Sequence, residues 1–311
     1  MVVDVHYHLF PSDLPVEAIR GLVSQVVRLG RTMKKNTDMD QALQKAVETW
    51  PDPEGDKLMA SMERHGIDFT VICTTDNVSN KDLTVDVTQK RNQVLGRIAG
   101  RHPDKVMALA GLDPRRPQAP DMMRRCFEEY GMKGLKYHPD VGYDPSGPDS
   151  YRLLEVLADQ RGVLLSHTGP LWPPSRCRFA EPALLADIGV DFPEIKVIAA
   201  HMGHVNWRPW AALAAHQPNL YGDLAMWDLT AFGRYELFCR ELRDLMDFAG
   251  ASKVLFGTDN PVFELITETK DWIQLLKDLP VKAPDGINFR EDEVNAILGA
   301  NAALLLGLEG V

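Results

Sequence analysis

Two histidines one residue apart, His6 and His8, stand close to the N-terminus in the run Asp4-Val5-His6-Tyr7-His8. Val2, Val3 and Val5 are β-branched, so residues 2–6 predict a short apolar strand. Alternate residues of a strand project to one face, so these two imidazoles lie side by side and can ligate one divalent cation. Alone, such a pair is more often two surface histidines without a role. What gives it weight is the chemistry at the ends of the later apolar runs: Asp76, Asp113, Lys136 and His138, His167, His201 and His204, Asp223, and Asp259. One histidine or carboxylate at a strand end means little. Three histidine-bearing ends and an aspartate at the last strand form a set of metal-ligand type.

The elements that must carry these residues alternate. Apolar strands are predicted at 2–6, 69–74, 106–112, 134–138, 163–167, 195–201, 220–225 and 254–257. Helical spacing fills the intervals at 85–101, 122–130, 151–161, 180–187, 207–216 and 233–249, and two more helices end the chain. The strands are nearly continuous apolar runs, as parallel strands buried on both faces should be. Eight such units in 311 residues suit a (β/α)8 TIM barrel better than a doubly wound sheet. A dinucleotide fingerprint is missing after the first strand. Residues 11–55 interrupt the rhythm with helical patterns at 16–29 and 39–50, and a third helix follows at 56–65. The first two read as a helical insertion near the barrel mouth, or as a dimerisation arm; the whole chain, 1–311, reads as one barrel domain.

Composition sets outer limits. A formal charge of −10 argues against nucleic acid or an anionic membrane as the main partner, although a local site can still take an anion. Cys73, Cys126, Cys177 and Cys239 are scattered, as reduced cysteines of a cytoplasmic protein are. The N-terminal run lacks the pattern of a secretory signal, and no apolar stretch reaches the roughly 18 residues of a membrane helix. The expected partner is a small-molecule substrate.

The motifs DVHYH, LLSHTG around His167, AAHMGH around His201, LFGTDNP around Asp259 and the terminal ILGANAALLLGL resemble the amidohydrolase superfamily. The resemblance is greatest to its amidohydrolase-related branch, which holds metal-dependent hydrolases as well as decarboxylases of the aminocarboxymuconate-semialdehyde and resorcylate type. It spans the whole chain. It implies that His6, His8, His167 and Asp259 bind one metal and that His201 polarises the substrate or shuttles a proton. It also implies a homodimer. A cation held by three imidazoles and a carboxylate lowers the pKa of bound water to about 7, and Asp259 can take a proton from that water. Zinc fits such a set best, with manganese as the alternative.

Lys136, in GLKYHP, matches the position where binuclear relatives carry a carboxylated lysine between two metals. The rival readings are an ammonium that holds a substrate carboxylate and a structural salt bridge. His138 is a second candidate at that strand end. Trp172, Arg176 and Arg178, in the loop after the His167 strand, would suit an aromatic or unsaturated carboxylate, or simply solvate a rigid loop. His204 and Asp223 are candidate supports for His201, Asp76 and Asp113 are expected to cap loops, and His65, His102 and His216 to lie at the surface. The expected function is hydrolysis of an amide, lactone or ester of a carboxylate-bearing substrate. The alternative is non-oxidative decarboxylation, or hydration, of an aromatic or unsaturated carboxylic acid at the same metal. A barrel that has lost catalysis is the third reading, against which the complete ligand set stands.

Overall fold

Every strand predicted from apolar runs is present in the computed structural model, which describes residues 1–12 and 14–308. They are β1 (Val3–His8), β2 (Phe69–Cys73), β3 (Val106–Gly111), β4 (Gly134–Tyr137), β5 (Val163–His167), β6 (Lys196–Ala200), β7 (Leu220–Asp223) and β8 (Val254–Leu255). They form one eight-stranded sheet in chain order and alternate with helices, giving the (β/α)8 barrel fold. All residues of β4 and β5 are buried, which is why these strands lack an apolar–polar alternation.

Two compact units make up the chain, Val71–Asp223 and Met1–Thr70 with Leu224–Val311. In the first, β3 to β7 pair in parallel, with Lys136 opposite Gly111 and Leu165, and His167 opposite Ala200. A buried amide fixes the end of β3: Asn92 accepts from the Gly111 N–H at 2.8 Å and donates to its carbonyl at 3.1 Å.

The second unit joins the two ends of the chain. The N–H of Val5 donates to the carbonyl of Phe256, that of Asp259 to His6, and that of His8 to Asn260, at 3.0, 2.8 and 2.7 Å. The expected strand at 254–257 is therefore only Val254–Leu255 by regular pairing. From Phe256 onward the backbone still follows β1, but its path at Asp259 is left-handed, with φ of 56°.

The insertion is helical as expected, with α1 (Val16–Gly30) and α2 (Met39–Thr49), and α3 (Asp56–His65) follows. Ile19, Val23 and Val27 of α1 pack on Ala42, Leu43 and Ala46 of α2 and on Trp50. Each fully buried aliphatic side chain contributes roughly 1.5–3 kcal/mol. Phe10, just past β1, stacks on Trp50 with ring centroids 5.2 Å apart, so the insertion leaves and returns at one place. Asp38 caps α2 through the N–H of Gln41 at 2.9 Å.

Several helix boundaries differ from the expected ones. The helix predicted at 122–130 is Ala119–Glu128, and that at 180–187 is Ala186–Asp191 after a short turn. Two of the differences have local reasons. The helix predicted at 151–161 starts at Pro148, where a ring at the first turn forfeits no hydrogen bond. The one predicted at 233–249 is two helices, Trp227–Gly233 and Tyr235–Ala249, parted at Arg234 by a non-helical backbone. Among the described residues, no helix is long and apolar enough to cross a membrane.

Candidate metal centre

His6 and His8 leave β1 on one face, as the period of two requires, and Asp259 reaches the same point from the turn after β8. Their donor atoms form a tight triangle. His6 Nε2 lies 3.1 Å from His8 Nε2 and 3.4 Å from Asp259 Oδ1, and His8 Nε2 lies 3.1 Å from that same oxygen. Two atoms bound at about 2.1 Å to one ion and separated by about 90–110° lie about 3.0–3.4 Å apart. Three such spacings at once are the signature of a facial ligand triad, so the residues fit a divalent cation. His6 is wholly buried, and the side chains of His8 and Asp259 are 12% and 14% exposed.

The triad is built by the seam between β1 and β8. Asp4, fully buried, accepts through Oδ1 from the N–H groups of His6 and Thr258, each at 3.0 Å, and through Oδ2 from the Thr258 hydroxyl at 2.6 Å. That hydroxyl accepts in turn from the N–H of Asn260 at 3.1 Å. The positive φ of Asp259 is a strained setting for a non-glycine residue, and the hydrogen bonds on either side hold it there.

A second group of histidines stands at the ends of β4, β5 and β6. The His138 ring lies flat on that of His167, with centroids 4.6 Å apart and planes 6° apart, and His167 meets His201 edge to face at 5.0 Å. Burial, with His138 and His201 close by, holds the His167 imidazole well below the usual range, so it is neutral and has a lone pair to give. Its Nε2 is 3.1 Å from the carbonyl of Gly169. A carbonyl only accepts, so Nε2 carries the proton and Nδ1 is the nitrogen left to bind a cation, the arrangement typical of metal-bound histidine.

His201 has φ of 67°, followed by Met202 at 53° and by His204 at φ 53°, ψ −119°. The turn is held by Asp223, fully buried, which accepts from the His201 N–H at 2.9 Å. It is also held by Thr168, which donates to Ala200 O at 2.6 Å and accepts from Gly203 N–H at 2.9 Å. Gly169, at φ of 99°, packs so closely on Gly203 that a Cβ would come within 3.1 Å of its backbone. Asp223 thus supports His201 as expected. Burial pulls the His204 imidazole below its ordinary range, and its Nε2 is buried without a hydrogen bond.

Lys136 is buried on β4. The loop after β5 carries Trp172, partly buried, and Arg176 and Arg178, both exposed; Arg178 lies over the ring of Phe179 at 4.6 Å. Asp76 and Asp113 cap loops as expected and do more: Asp76 takes a two-point contact from buried Arg116 at 2.6 and 2.7 Å. One expectation fails. His65 is buried, not at the surface, with Nε2 2.6 Å from Glu264, which also takes Arg64 at 2.6 Å. It closes the buried stripe Leu58, Ser61, Met62 of α3, a helical spacing already visible in the sequence. Asp140 and Ser175 belong beside His138 and were not singled out from sequence; the His-Pro-Asp run that places an acid two residues past His138 was the available signal.

His6, His8 and Asp259 are thus a set of metal-ligand type at the strand ends of a (β/α)8 barrel. The chain belongs to the amidohydrolase family, whose family model matches residues 3–308. It is 22% identical over 265 residues to the γ-resorcylate decarboxylase of Rhizobium sp. (strain MTP-10005), covering 70% of this chain and 79% of that protein. The fold matches 5-carboxyvanillate decarboxylase from Sphingomonas paucimobilis with a TM-score of 0.66 at 14% identity, over 98% of both chains. It also matches dihydroxybenzoic acid decarboxylase from Polaromonas sp. JS666, solved with manganese and 2-nitroresorcinol, with a TM-score of 0.65 at 17% identity over 100% and 98% of the two chains. These relatives correct the hydrolase expected from the sequence. The same ligands serve water activation and carbon–carbon cleavage, so the motifs could not separate the two, and the matching curated relatives are decarboxylases.

Proposed function

We propose that the protein is a metal-dependent, non-oxidative decarboxylase of an aromatic carboxylic acid. The observation that carries this reading is the preformed His6–His8–Asp259 triad in a chain whose curated relatives are γ-resorcylate decarboxylases.

In this reading His6, His8 and Asp259 hold one divalent ion, with His167 as the fourth ligand implied by the family resemblance. Zinc suits the imidazoles, and manganese accompanies the Polaromonas relative. When bound, the ion supplies a fixed positive charge that orients the acid and offsets charge developing on the substrate. The protein's own task is to place a proton. Loss of carbon dioxide leaves the bonding electron pair on the ring carbon, and a proton from Asp259 or His201 takes it up, giving the arene. The left-handed turn at His201, braced by Asp223, fixes its imidazole for that transfer or for polarising the acid. Lys136, His138, Trp172, Arg176 and Arg178 are the groups assigned to the substrate, with Lys136 as an ammonium for its carboxylate and not as a bridge between two metals. A homodimer in the cytoplasm completes the reading; the four cysteines, three of them buried and none in a disulfide, are in keeping with a reducing compartment.

The test is carbon dioxide release from 2,6-dihydroxybenzoate and 5-carboxyvanillate by protein loaded with manganese or zinc. Metal-dependent release, lost in the His6→Ala/His8→Ala double variant, is expected. Equal rates in the double variant, or no release from any aromatic acid of a panel by metal-loaded protein, would overturn the reading.

A further inference from the structure

The loop that carries Asp259 is keyed into the helical insertion, and both belong to one compact unit. Past Asp259 the chain makes the short turn Phe263–Leu265, and two lysines of the insertion take carbonyls at this turn. Lys35, just after α1, donates through Nζ to the carbonyl of Ile266, and Lys45 of α2 donates to that of Glu264 at 3.2 Å. Apolar contacts seat the same turn. Phe263 and Ile266 lie buried with Val26 and Met33, and Leu265 packs on the α1–α2 core. At the end of α1, Gly30 comes so close to Ile266 that a Cβ there would stand 3.1 Å from its Cγ2. Within the turn, the N–H groups of Ile266 and Thr267 donate to Phe263 O at 2.9 and 3.0 Å. Residues 260–262 alone separate it from Asp259, whose left-handed backbone is tied to β1 by its N–H bond to His6 O at 2.8 Å.

We propose that Lys35 is a positioning residue for the metal ligand Asp259, with Lys45 in support, so that the insertion sets how tightly the triad holds its ion. An ammonium on a carbonyl is a charge-assisted bond, stronger than a neutral one. Its loss frees the turn, and a turn joined to Asp259 by three residues carries the carboxylate with it. Groups that hold a ligand from outside the metal's own contacts are typically worth about 10–100-fold in metal affinity. Charge alone acts in the opposite sense: removing a cation from the neighbourhood favours binding of another cation. The sign of the change therefore separates positioning from through-space repulsion. The inference rests on the reading of His6, His8 and Asp259 as a metal site and goes beyond it by giving the insertion a task.

Lys35→Met tests this, with Lys34→Met as its control. Lys34 is exposed, lies one residue away and has no side-chain hydrogen bond or ion pair among the described residues. Two readouts are taken on the full chain. One is hydrogen exchange of the metal-free protein, read by mass spectrometry on peptides over residues 257–268. The other is the zinc dissociation constant, from competition with a chelator. Lys35→Met should speed exchange in that segment by about fivefold or more and weaken zinc binding by about tenfold. Lys45→Met should move both readouts the same way by less, the double variant by more, and Lys35→Arg should restore them. Lys34→Met should exchange as the wild type does and hold zinc at least as tightly. A Lys35→Met protein with wild-type exchange, or with zinc affinity unchanged or raised while the wild type binds zinc, overturns the proposal alone. A wild type that takes up no zinc overturns the metal reading and the proposal with it.

Discussion

Asp4 and Thr258, 254 residues apart, are joined by two hydrogen bonds, from the Thr258 N–H at 3.0 Å and its hydroxyl at 2.6 Å to the two oxygens of the Asp4 carboxylate. The same carboxylate takes the N–H of His6. One buried acid therefore sets the spacing between the histidine pair of β1 and the residue that precedes Asp259. Asp4→Ala strands these donors in the interior and should cost about 3 kcal/mol or more, with loss of bound metal. Asp4→Asn keeps one acceptor but sets an amide N–H against a donor, and should fall between. Urea unfolding and metal analysis of the two variants check this; an Asp4→Ala protein with wild-type stability and metal content would refute the clamp.

Asp228 gives a pH signature in a buried carboxyl that also feels the charge of Asp259. Burial pushes its carboxyl up to about 6, opposed by hydrogen bonds from Thr267, at 2.6 Å, and from the Leu229 N–H. Because the folded form holds this proton more tightly than the unfolded chain, the stabilisation is full below the ordinary value near 3.8 and is lost as pH rises through about 6. Asp228→Asn should therefore gain on the wild type between pH 4.5 and 7.5, by at most about 3 kcal/mol. Denaturant midpoints at the two pH values read the difference; an unchanged gap contradicts it.

Glu264 fastens the loop after β8 to the end of α3. Burial works against its charge, but His65 and Arg64 hold the carboxyl below the usual carboxylate range. Its contribution to stability is accordingly present above the ordinary value near 4.5 and lost as pH falls. Glu264→Ala should cost about 1–3 kcal/mol at pH 7, by leaving the His65 ring buried without its partner, and the difference should shrink in acid. Thermal unfolding across that range is the check, and a variant as stable as the wild type at pH 7 would rule the fastening out.

The barrel was legible because its strands are short apolar runs between strong helical patterns; residues 163–167 and 56–65 match β5 and α3 residue for residue. The His6–His8 triad was legible for the same reason, since a period of two fixes the facing of a pair on one strand. What sequence could not supply is contact across distance. Nothing near Asp4 announces Thr258, and nothing in residues 171–178 announces that Ser175 meets Asp140. The left-handed turns at His201 and Asp259 were hidden as well, because even histidine and aspartate, which tolerate that backbone better than most residues, seldom adopt it without surrounding hydrogen bonds that impose it. The reaction itself was misjudged because ligands identify a metal, not the bond that is cleaved.

The most direct test is the metal content of protein purified without added metal or chelator, compared with that of the His6→Ala/His8→Ala variant. The account predicts near one divalent ion per wild-type chain and almost none in the variant, with both proteins folded. A folded wild type that carries no metal and takes up none on titration, or a double variant that retains its full complement, would contradict the account at its centre.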